Sequence, residues 1–149
     1  MMSGGLRRDT RGGTAVEFAV VGTMLCLTTF AIVEAGLLYW MKSGMQAAAS
    51  MGARCGSIGY TYNTANFQCT NAATTQSYTV NAAQTWLLQN VIVASEVTVN
   101  GRVSGTTCNA VNTPPGNYFS VSITHTVPNL PSPLAAYSTL TASACYPMQ

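Results

Sequence analysis

Three residues near the N-terminus, Gly12, Gly13 and Glu17, have types and a spacing that could support a specific chemistry. Cleavage between the two glycines would create a new ammonium group at Gly13, close to Glu17 in the mature chain. In an assembly, that ammonium would lie within one or two helical turns of Glu17 on a neighbouring subunit. A carboxylate at the edge of an apolar segment is costly unless it faces water or a partner charge. The alternative is that Glu17 simply lies in the membrane interface, in the favourable first turn of a helix.

A long apolar segment follows Glu17. No charged residue occurs from Phe18 to Val33, and after Glu34 the apolar character continues through Met41. About 24 residues, at about 1.5 Å per residue, can cross a bilayer core of about 30 Å. The sequence therefore predicts a transmembrane and stalk helix over residues 13–58. A cleaved secretory signal would have a shorter apolar core.

The N-terminal sequence resembles a known family. Gly12, the string Gly13–Ala19 and the later Ile32–Gly36 are similar to the TadE-like minor pilins of the tight-adherence (Tad) type IV pilus system. Beyond the apolar segment the resemblance is only architectural. It implies a basic leader, residues 1–12, that a prepilin peptidase removes between Gly12 and Gly13. It also implies a subunit-pairing role for Glu17, with Glu34 as a second candidate.

The charge distribution predicts the orientation in the membrane. Charged residues make up 7% of the 149 residues, and the net charge of +2 belongs to the leader, because acidic and basic side chains balance from Gly13 onward. Basic residues before a span favour a cytoplasmic N-terminus. We therefore expect insertion in the lipid of a bacterial inner membrane, with residues 59–149 as a periplasmic domain or as part of an extracellular pilus. A nucleic-acid partner is not expected, because the exported part has no basic face.

The exported part is predicted to be a small α+β domain. Alternating apolar residues indicate three antiparallel strands around Val97–Val103, Phe119–Val127 and Thr139–Ala144. A second helix is predicted over Asn81–Ser95, capped by Asn81 or Thr79, with Trp86 as a core anchor. Residues 60–78 are interpreted as an ordered loop, and two proline-containing segments, residues 113–117 and 128–133, as turns or loops.

Four of the five cysteines, Cys55, Cys69, Cys108 and Cys145, lie in the exported part, where disulfides form. Three pairings are possible. If the strands form a meander, Cys108 and Cys145 reach the same edge of the sheet, while Cys69 lies in the loop that returns to the helix end at Cys55. We therefore predict the disulfides Cys55–Cys69 and Cys108–Cys145. A different strand order would change both pairs.

The sequence offers no catalytic constellation. Glu96 is the only acidic residue after Arg54, and His125, the only histidine, has the parity of a core-facing strand residue. Paired carboxylates, a Ser–His–Asp triad, metal-ligand spacings and a phosphate-binding loop are all missing. We therefore expect no enzymatic activity, no metal and no cofactor.

Two functional classes remain. The first is a minor pilin or pseudopilin that takes part in pilus assembly or priming, and hence in surface adhesion. Its partners would be the prepilin peptidase, other pilins, both major and minor, and the inner-membrane platform proteins of the pilus machine. The second is a single-pass anchored binding module, periplasmic or surface-exposed, that is unrelated to pili. Glu17 separates the two, because a permanent anchor has no need of it. A major pilin is disfavoured by the size of the exported domain.

Overall fold

A computed structural model describes residues 11–62, 68–87, 91–108, 111–128, 130 and 132–148. The elements in chain order are helix α1 (Arg11–Tyr62), helix α2 (Ala72–Trp86), strand β1 (Val97–Cys108), strand β2 (Val111–Thr126) and strand β3 (Thr139–Pro147). Short 3₁₀ helices occupy Ala94–Glu96 and Ser132–Tyr137. The predicted α+β class is confirmed. The chain divides into two compact units, Met1–Tyr39 and Trp40–Gln149.

The first unit contains the apolar half of α1. Its large side chains are exposed, including Phe18 at 80% and Phe30 at 70%. Threonine hydroxyl groups in this unit form hydrogen bonds within the helix. The Thr23 hydroxyl donates to the Ala19 carbonyl at 2.7 Å, and the Thr29 hydroxyl donates to the Leu25 carbonyl at 2.7 Å. Such bonds satisfy hydroxyl groups without water. Apart from Glu17 and Glu34, this unit is therefore a helix with a largely apolar surface, suited to a lipid environment.

The second unit is built around the C-terminal half of α1. Met45, Ala48, Ala49 and Ala53 are fully buried in it, and small residues on this half let other elements approach closely. A Cβ on Gly56 would collide with the Phe119 ring of β2, and a Cβ on Gly59 would collide with the backbone of Cys69. The Tyr60 and Phe119 rings contact each other with centroids 5.0 Å apart. One face of residues 44–60 of α1 is thus part of the core.

Helix α2 lies where the sequence did not predict it. It begins at Ala72, inside the predicted loop, and ends at Trp86, so the predicted range Asn81–Ser95 is wrong. Asn71 is the N-cap: its side chain accepts from Thr74 N at 2.9 Å, and the Thr74 hydroxyl accepts from Asn71 N at 3.1 Å. This reciprocal capping satisfies two backbone donors that a helix end leaves open.

Helix α2 runs antiparallel to α1 and contacts it through its middle and its C-terminal end. Gly52 of α1 faces Thr79, and Gly44 faces Leu87. The Gln76 side chain donates to the carbonyl of Val97 at 2.9 Å and also to that of Ala94, which ties the middle of α2 to the start of β1. Trp86 is 48% exposed, so the prediction that it anchors the core is wrong.

The sheet is the predicted antiparallel meander, with the order β1-β2-β3. Val97 pairs with Ile123, and Ile123 pairs with Ala142, so three buried side chains share one face. Residues 113–117 form part of β2 and not the predicted loop. Prolines are tolerated there because β3 ends opposite Tyr118 and because the pairing with β1 shifts register between Gly105 and Thr107.

Candidate functional site

The predicted processing residues and Glu17, the first of the two predicted pairing residues, lie in the first two turns of α1. Helix α1 begins at Arg11, so the Gly12–Gly13 peptide bond is helical, and an added Cβ on Gly13 would meet no atom within 4 Å. Glu17 is exposed and lies one helical turn beyond Gly13, on nearly the same face. This arrangement would place a new ammonium at Gly13 close to a carboxylate.

Glu34 is separated from this site. It lies 17 residues beyond Glu17 on the same helix, which corresponds to about 25 Å along the axis. At about 100° per residue it also points to a different face. Neither carboxylate has an ion-pair or hydrogen-bond partner within the part of the chain that the structure describes. Glu17 and Glu34 therefore cannot act on the same group.

The helix that carries these residues has the length and composition of a membrane span. Among the described residues, Gly13–Tyr60 is the helix that is long and apolar enough to cross a bilayer. Most of the large apolar side chains from Val16 to Trp40 are at least half exposed, and Phe18 and Tyr39 are the most exposed of them. Such a surface needs an apolar environment, either lipid or other apolar helices.

The predicted Cys55–Cys69 disulfide is present, with Cα atoms 5.7 Å apart. It joins α1 to the segment before α2, and Cys69 is fully buried. Cys145 is also disulfide-bonded. The side chain of Cys108, its predicted partner, lies outside the described residues. Cys26, in the apolar half of α1, is a free and exposed thiol.

His125 contacts Glu96, the one acidic residue in the sequence after Glu34. Its Nδ1 lies 2.8 Å from Glu96 Oε1, and the two side chains are 13% and 22% exposed. The second carboxylate oxygen of Glu96 accepts from the backbone N–H of Val93 at 3.0 Å. The sequence placed His125 on the core face but did not link it to Glu96. The pair joins β2 to the start of β1, a structural role.

The exposed side of α2 borders a shallow groove of about 370 Å³. Met51 of α1 lines one side, and Tyr78, Ala82 and Trp86 of α2 line the other. None of the lining residues is acidic, basic or histidine. The described residues contain no group of three or more His, Cys, Asp and Glu side chains placed to hold a metal ion. The groove is thus lined by apolar and uncharged polar side chains.

Comparison with known proteins identifies the N-terminal segment. Residues 12–54 match the family model TadE, described as TadE-like protein. The match begins at Gly12 and ends in the buried part of α1, so it covers both Glu17 and Glu34. The resemblance predicted from the sequence is therefore confirmed for this segment, and it is consistent with a TadE-like protein of the Tad pilus system. No curated protein and no solved structure matches the chain.

Proposed function

We propose that the protein is a minor pilin, or pseudopilin, of a tight-adherence pilus, and that it acts in pilus assembly or priming and hence in adhesion. The match of residues 12–54 to the TadE-like family carries this proposal. The segment contains the glycine pair, the carboxylate one turn later and the helix with an apolar surface. An unrelated membrane anchor would need only the last of these three features.

The proposed location is the bacterial inner membrane, with the N-terminus in the cytoplasm and residues 59–149 in the periplasm. Basic residues that precede the span support this orientation. The Cys55–Cys69 disulfide supports an oxidising compartment for the domain. The protein is proposed to act by binding other components of the pilus, as the match to the TadE-like family suggests.

Processing is the first step of the proposed function. A membrane-embedded prepilin peptidase would cut between Gly12 and Gly13 while the basic leader stays on the cytoplasmic side. Helical backbone at this bond must be opened for cleavage, and two glycines make that opening easy because glycine is a poor helix former. The new ammonium at Gly13 would then lie one turn from Glu17.

Mass spectrometry of the membrane-extracted protein tests the proposal. We expect Gly13 as the first residue in cells that carry the pilus machinery, and the intact leader in cells that lack the peptidase. Gly12→Val should block processing because a β-branched side chain would fill the cleavage position. Gly36→Val is the matched control, since Gly36 is a glycine of α1 at which an added Cβ would meet no atom within 4 Å. An intact N-terminus in peptidase-containing cells would contradict the proposal.

A further inference from the structure

The three most exposed aromatic side chains among the described residues of the Trp40–Gln149 unit are Trp40, Tyr137 and Trp86. Their exposed fractions are 66%, 62% and 48%. The next is Tyr146 at 36%, and Phe119 is fully buried. Tryptophan and tyrosine are the residue types that prefer the membrane–water interface. Their places in the fold decide whether a membrane can cover them.

Trp86 lies close to the C-terminal end of the apolar segment of α1. A Cβ on Gly44 would lie 3.5 Å from Cβ of Trp86, so the end of α2 rests on α1 at this residue. Gly44 follows Trp40 by four residues, which is about 6 Å along the helix and nearly the same face. The interfacial layer on each side of a bilayer core is about 5–7 Å thick. If Trp40 marks the edge of the core, Trp86 starts within that layer.

Tyr137 belongs to the same end of the domain. Gly56 of α1 lies against the ring of Phe119 on β2. In the sheet, Phe119 pairs with Tyr146 on β3. About ten residues nearer the N-terminus, the Gln46 side chain donates to the Ser143 carbonyl of β3 at 2.8 Å. β3 therefore approaches Trp40 as it is followed back toward its start at Thr139. Tyr137 lies two residues before that start, so the direction of β3 leads the chain back from Tyr137 toward the Trp40 end of the domain.

The charges of the domain fit a lipid surface. After Glu34 the chain has three basic side chains, Lys42, Arg54 and Arg102, and a single acidic one, Glu96. Lys42 is exposed about 3 Å farther along α1 than Trp40, whereas the Glu96 carboxylate is held by His125 and by the Val93 N–H. No other carboxylate side chain of the domain can repel an anionic headgroup. The lysine can reach lipid phosphates while its stem stays in the apolar layer.

We propose that this end of the domain, formed by Trp40, Lys42, Trp86 and Tyr137, lies in the headgroup layer of the membrane before assembly. Contacts between this surface and the lipid headgroups hold the domain on the bilayer. Trp86 makes such a contact from α2, outside the membrane-spanning helix. The inference rests on the membrane insertion that belongs to the proposed function. It adds that the domain is bound to the lipid surface and does not move freely above it.

The chain has two tryptophans, which allows a direct test. In Trp40→Phe the sole fluorophore is Trp86, and in Trp86→Phe it is Trp40. The reference is Ile58→Trp in a chain that lacks both tryptophans, because Ile58 is exposed on α1 about 21 Å beyond Gly44. The full-length variants are reconstituted in phosphatidylethanolamine–phosphatidylglycerol vesicles. Quenching is measured with a headgroup-labelled nitroxide lipid and with aqueous acrylamide.

We expect the nitroxide lipid to quench Trp86 nearly as strongly as Trp40 and several-fold more strongly than the Ile58→Trp reference. Acrylamide should show the opposite order. Strong quenching of Trp40 together with weak quenching of Trp86 would overturn the docking and leave membrane insertion intact. Trp86 shielded from acrylamide but unaffected by the lipid would assign the surface to another protein copy and would also overturn the proposal. Absence of lipid quenching at Trp40 would overturn insertion itself.

Discussion

The smallest side chains of α1 determine how closely the domain packs. At Gly56 a Cβ would meet the ring of Phe119, which can rotate or shift slightly, but at Gly59 it would meet the backbone carbonyl of Cys69. A backbone that is held by the Cys55–Cys69 disulfide cannot move aside as a side chain can. Glycine at position 59 is therefore required by close approach and not by its own backbone conformation.

We predict that Gly59→Ala destabilises the Trp40–Gln149 unit. The methyl group overlaps a fixed carbonyl, and overpacking of this kind costs about 1–3 kcal/mol. Thermal unfolding of the protein in detergent, followed by circular dichroism, measures the loss. Gly36→Ala is the control, since it meets no atom within 4 Å and replaces glycine by a better helix former. Equal melting temperatures for the two variants would refute the packing argument.

At the same scale, Glu17→Val separates insertion from assembly. An uncompensated carboxylate in a membrane span costs about 2.5–3.5 kcal/mol on insertion scales. Removing it should leave insertion and cleavage at Gly13 intact, whereas pilus output should fall because the neighbouring ammonium loses its partner. Glu34→Val, on a different face of α1, provides the comparison. Wild-type pilus output from Glu17→Val would exclude the pairing role.

At the scale of elements, the sequence correctly predicted the helix and the strands whose apolar residues recur with a clear period or form a long run. The strands were found because Val121 and Ile123 alternate with polar residues, and α1 was found by its apolar length. Helix α2 was misplaced because its buried face is Thr75, Thr79 and Ala83, which carries little apolar signal. The Thr79 hydroxyl donates to the Thr75 carbonyl at 2.7 Å, so threonine is buried with its polarity satisfied.

The start of α2 can be tested through its cap. Asn71→Ala removes the acceptor of the Thr74 N–H, and loss of such a cap costs about 0.5–2 kcal/mol. The matched control is Asn81→Ala, because Asn81 was a predicted cap but is an exposed interior residue of α2. We expect a lower free energy of unfolding for Asn71→Ala, measured by urea titration, and little change for Asn81→Ala. The reverse order would place the helix start where the sequence suggested.

The second disulfide stays a prediction at this scale. Cys145 is disulfide-bonded, and the meander order on which the Cys108–Cys145 pairing depended is confirmed. Cys108 ends β1, which pairs with β2, and Cys145 lies opposite Ser120 on the other side of β2. Peptide mapping under non-reducing conditions should give a Cys108–Cys145 cross-linked peptide. Any other partner of Cys145 in that map would show that the pairing is wrong.

At the scale of the whole molecule, α1 serves two environments. Its first half presents an apolar surface, while Met45, Ala48 and Ala53 in its second half are fully buried against the rest of the Trp40–Gln149 unit. The division of the chain into compact units therefore falls at Tyr39–Trp40, well before the end of the helix. The sequence predicted the apolar span but gave no sign of where packing against the domain begins. Alanine, glycine and methionine suit both a stalk and a core.

This division predicts which fragment of the protein folds by itself. A fragment of residues 40–149, exported to the periplasm with a cleavable signal, retains the buried half of α1 and the Cys55–Cys69 disulfide. We expect it to unfold cooperatively on heating. A fragment of residues 59–149 loses Met45 and the alanines from the core and leaves Cys69 without its partner, because Cys55 is removed.

The shorter fragment should therefore expose apolar surface, show no cooperative melting and react with a thiol reagent. Circular dichroism melting curves and thiol titration of the two fragments measure this difference. Loss of the fully buried Met45 side chain lowers the free energy of unfolding by about 1.5–3 kcal/mol, and loss of the disulfide lowers it by about 3 kcal/mol more. Since a small domain has only about 5–15 kcal/mol of stability, the two losses together leave little margin. Cooperative melting of residues 59–149 at the temperature of the longer fragment would show that α1 is only a stalk.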